Sequence, residues 1–296
     1  MIDTHAHLLT NTQLREIFPP GTALPGDISQ AELVRLGNVC GVEKFITVQS
    51  QESEEDTETL LCNAVVHAQV VGVIGWLNLT ADNAVNQLNQ WLTDYPDYLL
   101  GIRPMLQHMK DENWILQPGC SPTLREMSRQ QLCFEALVYP RHLKALTTLA
   151  DRYPELTIVV NHAAKPNIAA DEFNIWYRQI TDLALRSNVV CKYSGLFTEA
   201  NRNSKISLDA QIQPYSRVLC DTFGEDRLLW GSDWPVLTAA AEYIHWHHAA
   251  KIQIKRYLGQ NAVEKIFGGN AVKLYPIRAG IQNHHPLPSQ SAYHQV

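Results

Sequence analysis

Eight short apolar runs, spaced along most of the chain and separated mainly by segments of helical period, constrain this sequence more than any other feature. They are "MIDTH" (1–5), "KFITVQ" (44–49), "VVGVIGWLNL" (70–79), "YLLGIRPML" (98–106), "LCFEALVY" (132–139), "LTIVVNH" (156–162), "NVVCKYSG" (188–195) and "RLLWGSD" (227–233). Near-continuous apolar strands are the mark of a parallel sheet covered on both faces. The intervening segments carry helix signals. "SQAELVRLGNVCG" opens on Ser29 and stops at Gly41, and "SEEDTETLLCNAVVHAQ" has acids in its first turn, where the helix dipole favours them. "TADNAVNQLNQWLTDYP", "PRHLKALTTLADRYP", "FNIWYRQITDLALRS" and "AQIQPYSRVLCDTFG" continue the series. The strand count predicts an α/β chain closed into a (β/α)8 TIM barrel, although an open doubly wound sheet has a similar signature. "AEYIHWHHAAKIQIKRYLG" and "NAVEKIFGGNAVKLY" read as extra C-terminal helices.

With 296 residues, 45% of them hydrophobic, the chain is long enough for one large core. A single domain over 1–276 is expected, with a polar tail over 277–296. Residues 9–29, rich in Pro and Gly, are expected over the strand C-terminal face as a lid. The net charge of −6 and the lack of any Lys/Arg-rich run argue against nucleic acid and anionic membranes as partners. No basic leader and no apolar run near the roughly 18 residues of a membrane span is seen, which predicts a cytoplasmic protein. The six cysteines form no Cys-x-x-Cys pair and read as reduced packing residues.

"IDTHAHL" and "YIHWHHA" each hold a His-x-His, a pattern that 12 histidines produce by chance about 0.5 times in a chain of this length. Local structure separates the two. On a strand, residues two apart share a face, so Asp3, His5 and His7 are expected on one side. On a helix they diverge by about 200°, so His245 and His247 cannot share a small ion.

Three further polar groups finish predicted strands: Arg103 in "GIRP", His162 in "NHAAKP" and Asp233 in "GSDWP". Barrel active sites are built at strand C-terminal ends. Neutral imidazole suits Zn²⁺, and a carboxylate either coordinates an ion or takes a proton from water. His5, His7, His162 and Asp233 are therefore the candidate catalytic set. Asp233 can also act as general base without a metal if Arg103, Lys165 and Arg141 polarise a substrate carbonyl.

Together with "VVGVIGWLNL", "GIRPML", "NHAAKP", "CKYSGLFTEA", "LLWGSDWPV" and "IFGGNAVKLY", the "IDTHAHL" segment resembles the second amidohydrolase family of the amidohydrolase superfamily, in its sugar-lactonase branch of L-fuconolactonase and L-rhamnonolactonase-like proteins. The resemblance runs from about residue 2 to 275. It implies a distorted barrel that hydrolyses a lactone, with His5, His7 and His162 at the reactive centre and Asp233 activating water. Some members use a divalent ion and others work without one; Zn²⁺ is the ion inferred, on His5, His7, His162 and Asp233. The family's acid in the fifth strand maps to Glu135, as a further ligand or as a buried hydrogen-bonded carboxylate. Asn161 and Tyr193 depart from the branch's usual residues, and are expected to alter the orientation of His162 and to narrow the pocket, respectively.

Few cations stand near the strand ends, which favours a neutral, hydroxyl-rich lactone over a dicarboxylate. Arg103, Lys165, Trp76, Gln49, Tyr193, Glu199 and Trp234 are the expected substrate contacts. The alternatives are a metal-dependent decarboxylase of the same superfamily and a non-catalytic sugar-acid binding protein.

Overall fold

In a computed structural model, which describes residues 1–10, 12, 13, 15 and 27–277, the strands run in the order β1 to β8 as a single parallel sheet. They are β1 (Ile2–Ala6), β2 (Lys44–Val48), β3 (Val70–Gly75), β4 (Leu99–Ile102), β5 (Cys133–Ala136), β6 (Ile158–Val160), β7 (Val189–Tyr193) and β8 (Leu228–Trp230). The two ends of the sheet meet. Ala6 bridges Trp234 in parallel, and His7 N–H donates to the Trp234 carbonyl at 2.8 Å. All eight expected strands are present, and the barrel prevails over the open sheet because β1 and β8 come together in this way.

The helices surround the barrel: α1 (Gln30–Cys40), α2 (Glu54–Val66), α3 (Ala84–Asp94), α4 (Ser121–Arg129), α5 (Leu143–Arg152), α6 (Phe173–Leu183), α7 (Leu208–Phe223), α8 (Tyr243–Leu258), α9 (Gln260–Glu264) and α10 (Asn270–Leu274). The end signals of α1 operate as read: Ser29 Oγ accepts the Glu32 N–H at 3.2 Å, and Gly41 takes the left-handed conformation at φ 74°. Helix α4 was not anticipated. Its short sequence, "SPTLREMSR", buries only Thr123, Leu124 and Met127.

Two apolar layers divide the core. Ile46, Val48, Ile74, Leu100, Val159, Val190 and Leu229 fill the barrel with Tyr275 packed among them, while the outward strand residues meet the helices. Five cysteines are buried and all six are free, as expected. Among the described residues, no helix is long and apolar enough to cross a membrane. Most of the expected lid and nearly all of the expected tail lie outside the described residues.

Candidate active site

Strand ends deliver the polar cluster, as the fold requires. His5 and His7 come from β1 and the turn after it, His162 follows β6, and Asp233 follows β8. Oδ1 of Asp233 lies 3.3 Å from His7 Nε2, 3.6 Å from His5 Nε2 and 3.7 Å from His162 Nε2. The His5 and His7 Nε2 atoms are 3.3 Å apart. Arg103, at the end of β4, reaches His5 Nε2 with Nη1 at 3.4 Å and donates through Nη2 to the Gln49 carbonyl. Asp3 does not join them. The β1–β2 register shifts between Asp3 and Ala6, and the Asp3 carboxylate accepts from Ser232 N–H at 2.9 Å and from Tyr243 O–H at 3.1 Å.

Left-handed backbone aims two members of the cluster. His162, Ala163, Ala164 and Lys165 take φ of 50°, 52°, 60° and 49° in succession, and Asp233 takes 61°. Such a conformation costs an L-residue roughly 1–2 kcal/mol, so neighbours must hold it. Trp176 Nε1 donates to the Ala163 carbonyl at 2.7 Å, and Lys165 N–H donates to the His162 carbonyl at the same distance. Two glycines let other strands approach. A Cβ on Gly195 would lie 2.6 Å from His162 Cβ, and one on Gly231 would lie 2.7 Å from His5 Cβ.

Burial and charge keep His5 and His162 neutral. Desolvation pulls His162 down to about 3, against a raising contribution from Asp233. His5 is likewise driven well below its ordinary value by burial and then by the Lys192 charge. For Asp233, burial acts upward, but His162, the hydrogen bond with His7 and the charge of Lys165 outweigh it and hold the carboxyl below the usual range. At neutral pH the Asp233 carboxylate therefore faces neutral imidazoles at His5 and His162, with His7 hydrogen-bonded beside them. Ring orientation is fixed from behind: His7 Nδ1 lies 2.8 Å from the Val48 carbonyl and His162 Nδ1 lies 2.8 Å from Ser194 Oγ.

Above the cluster opens a cavity of about 640 Å³, with His7, His162, Asp233, Arg103, Lys165 and Glu199 among its lining. Lys165 Nζ and Glu199 Oε1 are 3.4 Å apart on its wall. Tyr139 and Arg202 also line it and were not anticipated. Five expectations are corrected. Gln49 is fully buried, and its Nε2 donates to the Arg103 carbonyl at 2.8 Å, so it braces Arg103 from behind. Tyr193 projects out of the barrel, stacks on Trp246 and hydrogen-bonds Ser216 Oγ at 2.5 Å; it does not narrow the pocket. Trp234 is buried, and its backbone forms the β1–β8 closure. Trp76, pinned to α2 by its N–H to Thr57 Oγ1 at 2.8 Å, is not among the lining residues. Arg141 donates to the Gln107 carbonyl at 2.9 Å and faces a neighbouring groove.

Glu135 is also placed apart from the ligand cluster. Its carboxylate accepts from Lys192 Nζ at 2.7 Å, Asn161 Nδ2 at 2.9 Å and Tyr275 O–H at 2.7 Å, all within the core. Asn161 accordingly orients Glu135, and Ser194 orients His162. Lys192 was missed, although a Lys inside "VVCKY" is itself a signal, since a buried cation in a strand requires a partner. On α8, His245 meets Asp209 at 2.9 Å on the surface and His247 packs edge-on against the stacked rings of Trp230 and Phe267, so the second His-x-His gathers no ligand set.

The spacing of the first set suits a divalent ion. Ligand atoms bound at about 2.0–2.1 Å in tetrahedral geometry sit roughly 3.3 Å apart. His5, His7 and Asp233 offer nitrogen and oxygen atoms at 3.3 to 3.6 Å from one another. His162 stands beside them, in contact with Asp233 but outside that compact group.

A parallel (β/α)8 barrel with one histidine on its first strand and one just after it, a histidine after its sixth and an aspartate after its eighth defines a class, and the chain belongs to the amidohydrolase family, whose profile matches residues 2–277. Within it, the chain is 40% identical over 281 residues to an L-fucono-1,5-lactonase of Burkholderia ambifaria, covering 93% of this chain and 95% of that protein. It is 28% identical over 240 residues to an L-fucono-1,5-lactonase of Burkholderia multivorans, covering 78% of this chain and 80% of that protein. A crystal structure of a Burkholderia multivorans amidohydrolase with bound zinc superposes with a TM-score of 0.83 at 27% identity, covering 94% of this chain and 99% of the other.

Proposed function

We propose that the protein hydrolyses a neutral sugar lactone, the 1,5-lactone of a deoxy sugar acid, to the open aldonic acid. The observation that carries this reading is the Asp233 carboxylate, held within 3.7 Å of three imidazoles at the floor of a cavity large enough for a monosaccharide. The 40% identical relative named L-fucono-1,5-lactonase supports the substrate class.

In this mechanism Asp233 accepts the proton of a water that attacks the lactone carbonyl from the cavity side. His7 and His162 orient that water and keep bulk solvent from the carboxylate. Arg103, fixed by Gln49, and Lys165 supply positive charge to the oxyanion of the tetrahedral intermediate. Collapse of the intermediate expels the ring oxygen, which takes the proton back. Lys165 and Glu199 are paired donor and acceptor for the hydroxyls of the sugar chain. A Zn²⁺ ion on His5, His7 and Asp233, with His162 adjacent, would polarise the carbonyl and acidify bound water.

A pH-indicator screen of aldonolactones, run on metal-depleted protein with and without added Zn²⁺ or Mn²⁺, tests the reading. Acid release from one deoxy-sugar series is the expected result. Carbon dioxide release from an aromatic acid without lactone opening points to a decarboxylase, and tight sugar-acid binding with no turnover points to a binding protein; either overturns it.

A further inference from the structure

Metal-binding imidazoles ordinarily hand their second ring N–H to a carboxylate, carbonyl or water, which turns the lone pair of the other nitrogen toward the ion. His7 follows that pattern. Its Nδ1 faces the Val48 carbonyl at 2.8 Å, an acceptor only, so Nε2 is left free. His5 does not follow it. Its Nδ1 lies 3.3 Å from Lys192 Nζ, which also contacts the Thr4 carbonyl at 2.8 Å and Glu135 Oε2 at 2.7 Å. An ammonium has three N–H donors, and these three acceptors use them all. The Lys192 and Glu135 side chains are wholly buried, and a paired carboxylate is what sustains a charged amine in such a place.

We infer that Lys192 is a positioning residue that holds His5 in its Nε2–H tautomer and thereby weakens the centre's hold on a divalent ion. The Nε2–H then faces His7 Nε2 at 3.3 Å and Asp233 Oδ1 at 3.6 Å, both acceptors. Arg103 Nη1, a donor only, also lies 3.4 Å from that nitrogen; it is one donor against these two acceptors, and it places a second positive group against the ring. Glu135 balances the charge of Lys192 but directs its oxygens to Lys192, Asn161 and Tyr275. His5 is thus flanked by two cations where a strongly held metal needs an acceptor on one side and open space on the other. The cluster keeps its shape through hydrogen bonds from Lys192 to His5 and from His5 toward Asp233. This inference rests on His5, His7 and Asp233 as a metal-competent centre and is independent of the lactone.

The test is Co²⁺ titrated into metal-free full-length protein, followed by its visible absorption. Lys192→Met/Glu135→Gln removes both buried charges together, which avoids the unpaired carboxylate that Lys192→Met alone would leave. The double variant is expected to bind Co²⁺ about 10-fold or more tightly than the wild type, the scale of changes next to a ligand, and Glu135→Gln alone to bind no more tightly. Equal or weaker binding by the folded double variant, checked by circular dichroism, overturns the inference. A measurement on the wild type stands beside it. Long-range ¹⁵N–¹H spectra of the metal-free protein should place the His5 proton on Nε2, and a proton on Nδ1 overturns the inference whatever the variants do. An absence of lactone turnover would count against the proposed function and leave the His5 tautomer and the Co²⁺ comparison unaffected.

Discussion

Asp233 donates its backbone N–H to the carbonyl of His5 at 2.8 Å, so two residues that face each other across the site also help to close the barrel. The seam fixes where the carboxylate stands, independently of what its side chain carries. Asp233→Asn should therefore fold with near wild-type stability while lactone hydrolysis falls by about 10²- to 10⁴-fold, the range of a general base. Steady-state kinetics beside a thermal melt checks this, and near wild-type turnover on every lactone tested would falsify the role of Asp233.

Gly195 presents its Cα hydrogen to His162 in a gap that has no room for a methyl group. Gly195→Ala would put Cβ 2.6 Å from His162 Cβ at a backbone φ of 68°, and the imidazole must move or the strand end must. A displacement of about 1 Å at a catalytic group costs on the order of 10²-fold. The expected result is a drop in kcat of that order with a smaller change in KM. An unchanged kcat would show that the site tolerates a shifted His162.

Much of this was legible in the chain because the signals were periodic or terminal. Eight apolar runs gave the barrel, Ser29 and Gly41 bounded a helix, and the polar residues His162 and Asp233 stood out where apolar runs stop. What was not legible depended on register. The irregularity between Asp3 and Ala6 sends Asp3 to Tyr243 while His5 joins the cluster, so the two-residue period used for "IDTHAH" fails within the strand. The same period, applied to β7, puts Lys192 inside and Tyr193 outside, but only the structure shows which alternate set faces in. The left-handed turn after β6 carries Ala163 and Ala164, where Gly or Asn would have announced it.

The acid limb of activity should lie low. Asp233 is held below the usual carboxylate range and works as a base only when ionised, so activity should be lost only as pH falls through that depressed value. His162, lowered to about 3, stays neutral through mildly acidic pH and adds no limb near its ordinary value. The kcat/KM profile should be flat between about pH 5 and 8. A limb near pH 6.5 would mean that an imidazole, not Asp233, carries the proton.

Buried Asp3 should make the fold more stable in mild acid. Desolvation raises its carboxyl to about 6 from 3.8, against the hydrogen bonds of Ser232, His5 and Tyr243. The folded state therefore binds this proton more tightly than the unfolded state. Its stabilising contribution is complete below the unfolded value of 3.8 and is lost as pH rises through about 6. Asp3→Asn removes that dependence. Comparing wild type with Asp3→Asn by denaturant melts at pH 4 and pH 7 should show the variant gaining on the order of 2–3 kcal/mol relative to wild type at the higher pH.

Lys165 is the last residue of the left-handed turn and meets Glu199 at 3.4 Å on the cavity wall, with its side chain 23% exposed. Removing the ammonium leaves Asp233 and the three imidazoles in place, so its loss should be felt in binding as well as in oxyanion stabilisation. A charge-assisted hydrogen bond to a sugar hydroxyl is worth about 1.5–3 kcal/mol. Lys165→Met should raise KM by roughly 10- to 100-fold for a hydroxyl-rich lactone. For a small lactone without hydroxyls the same substitution should leave KM nearly unchanged and lower kcat only. Equal KM increases on both lactones would mean that Lys165 shapes the cavity and does not read the sugar.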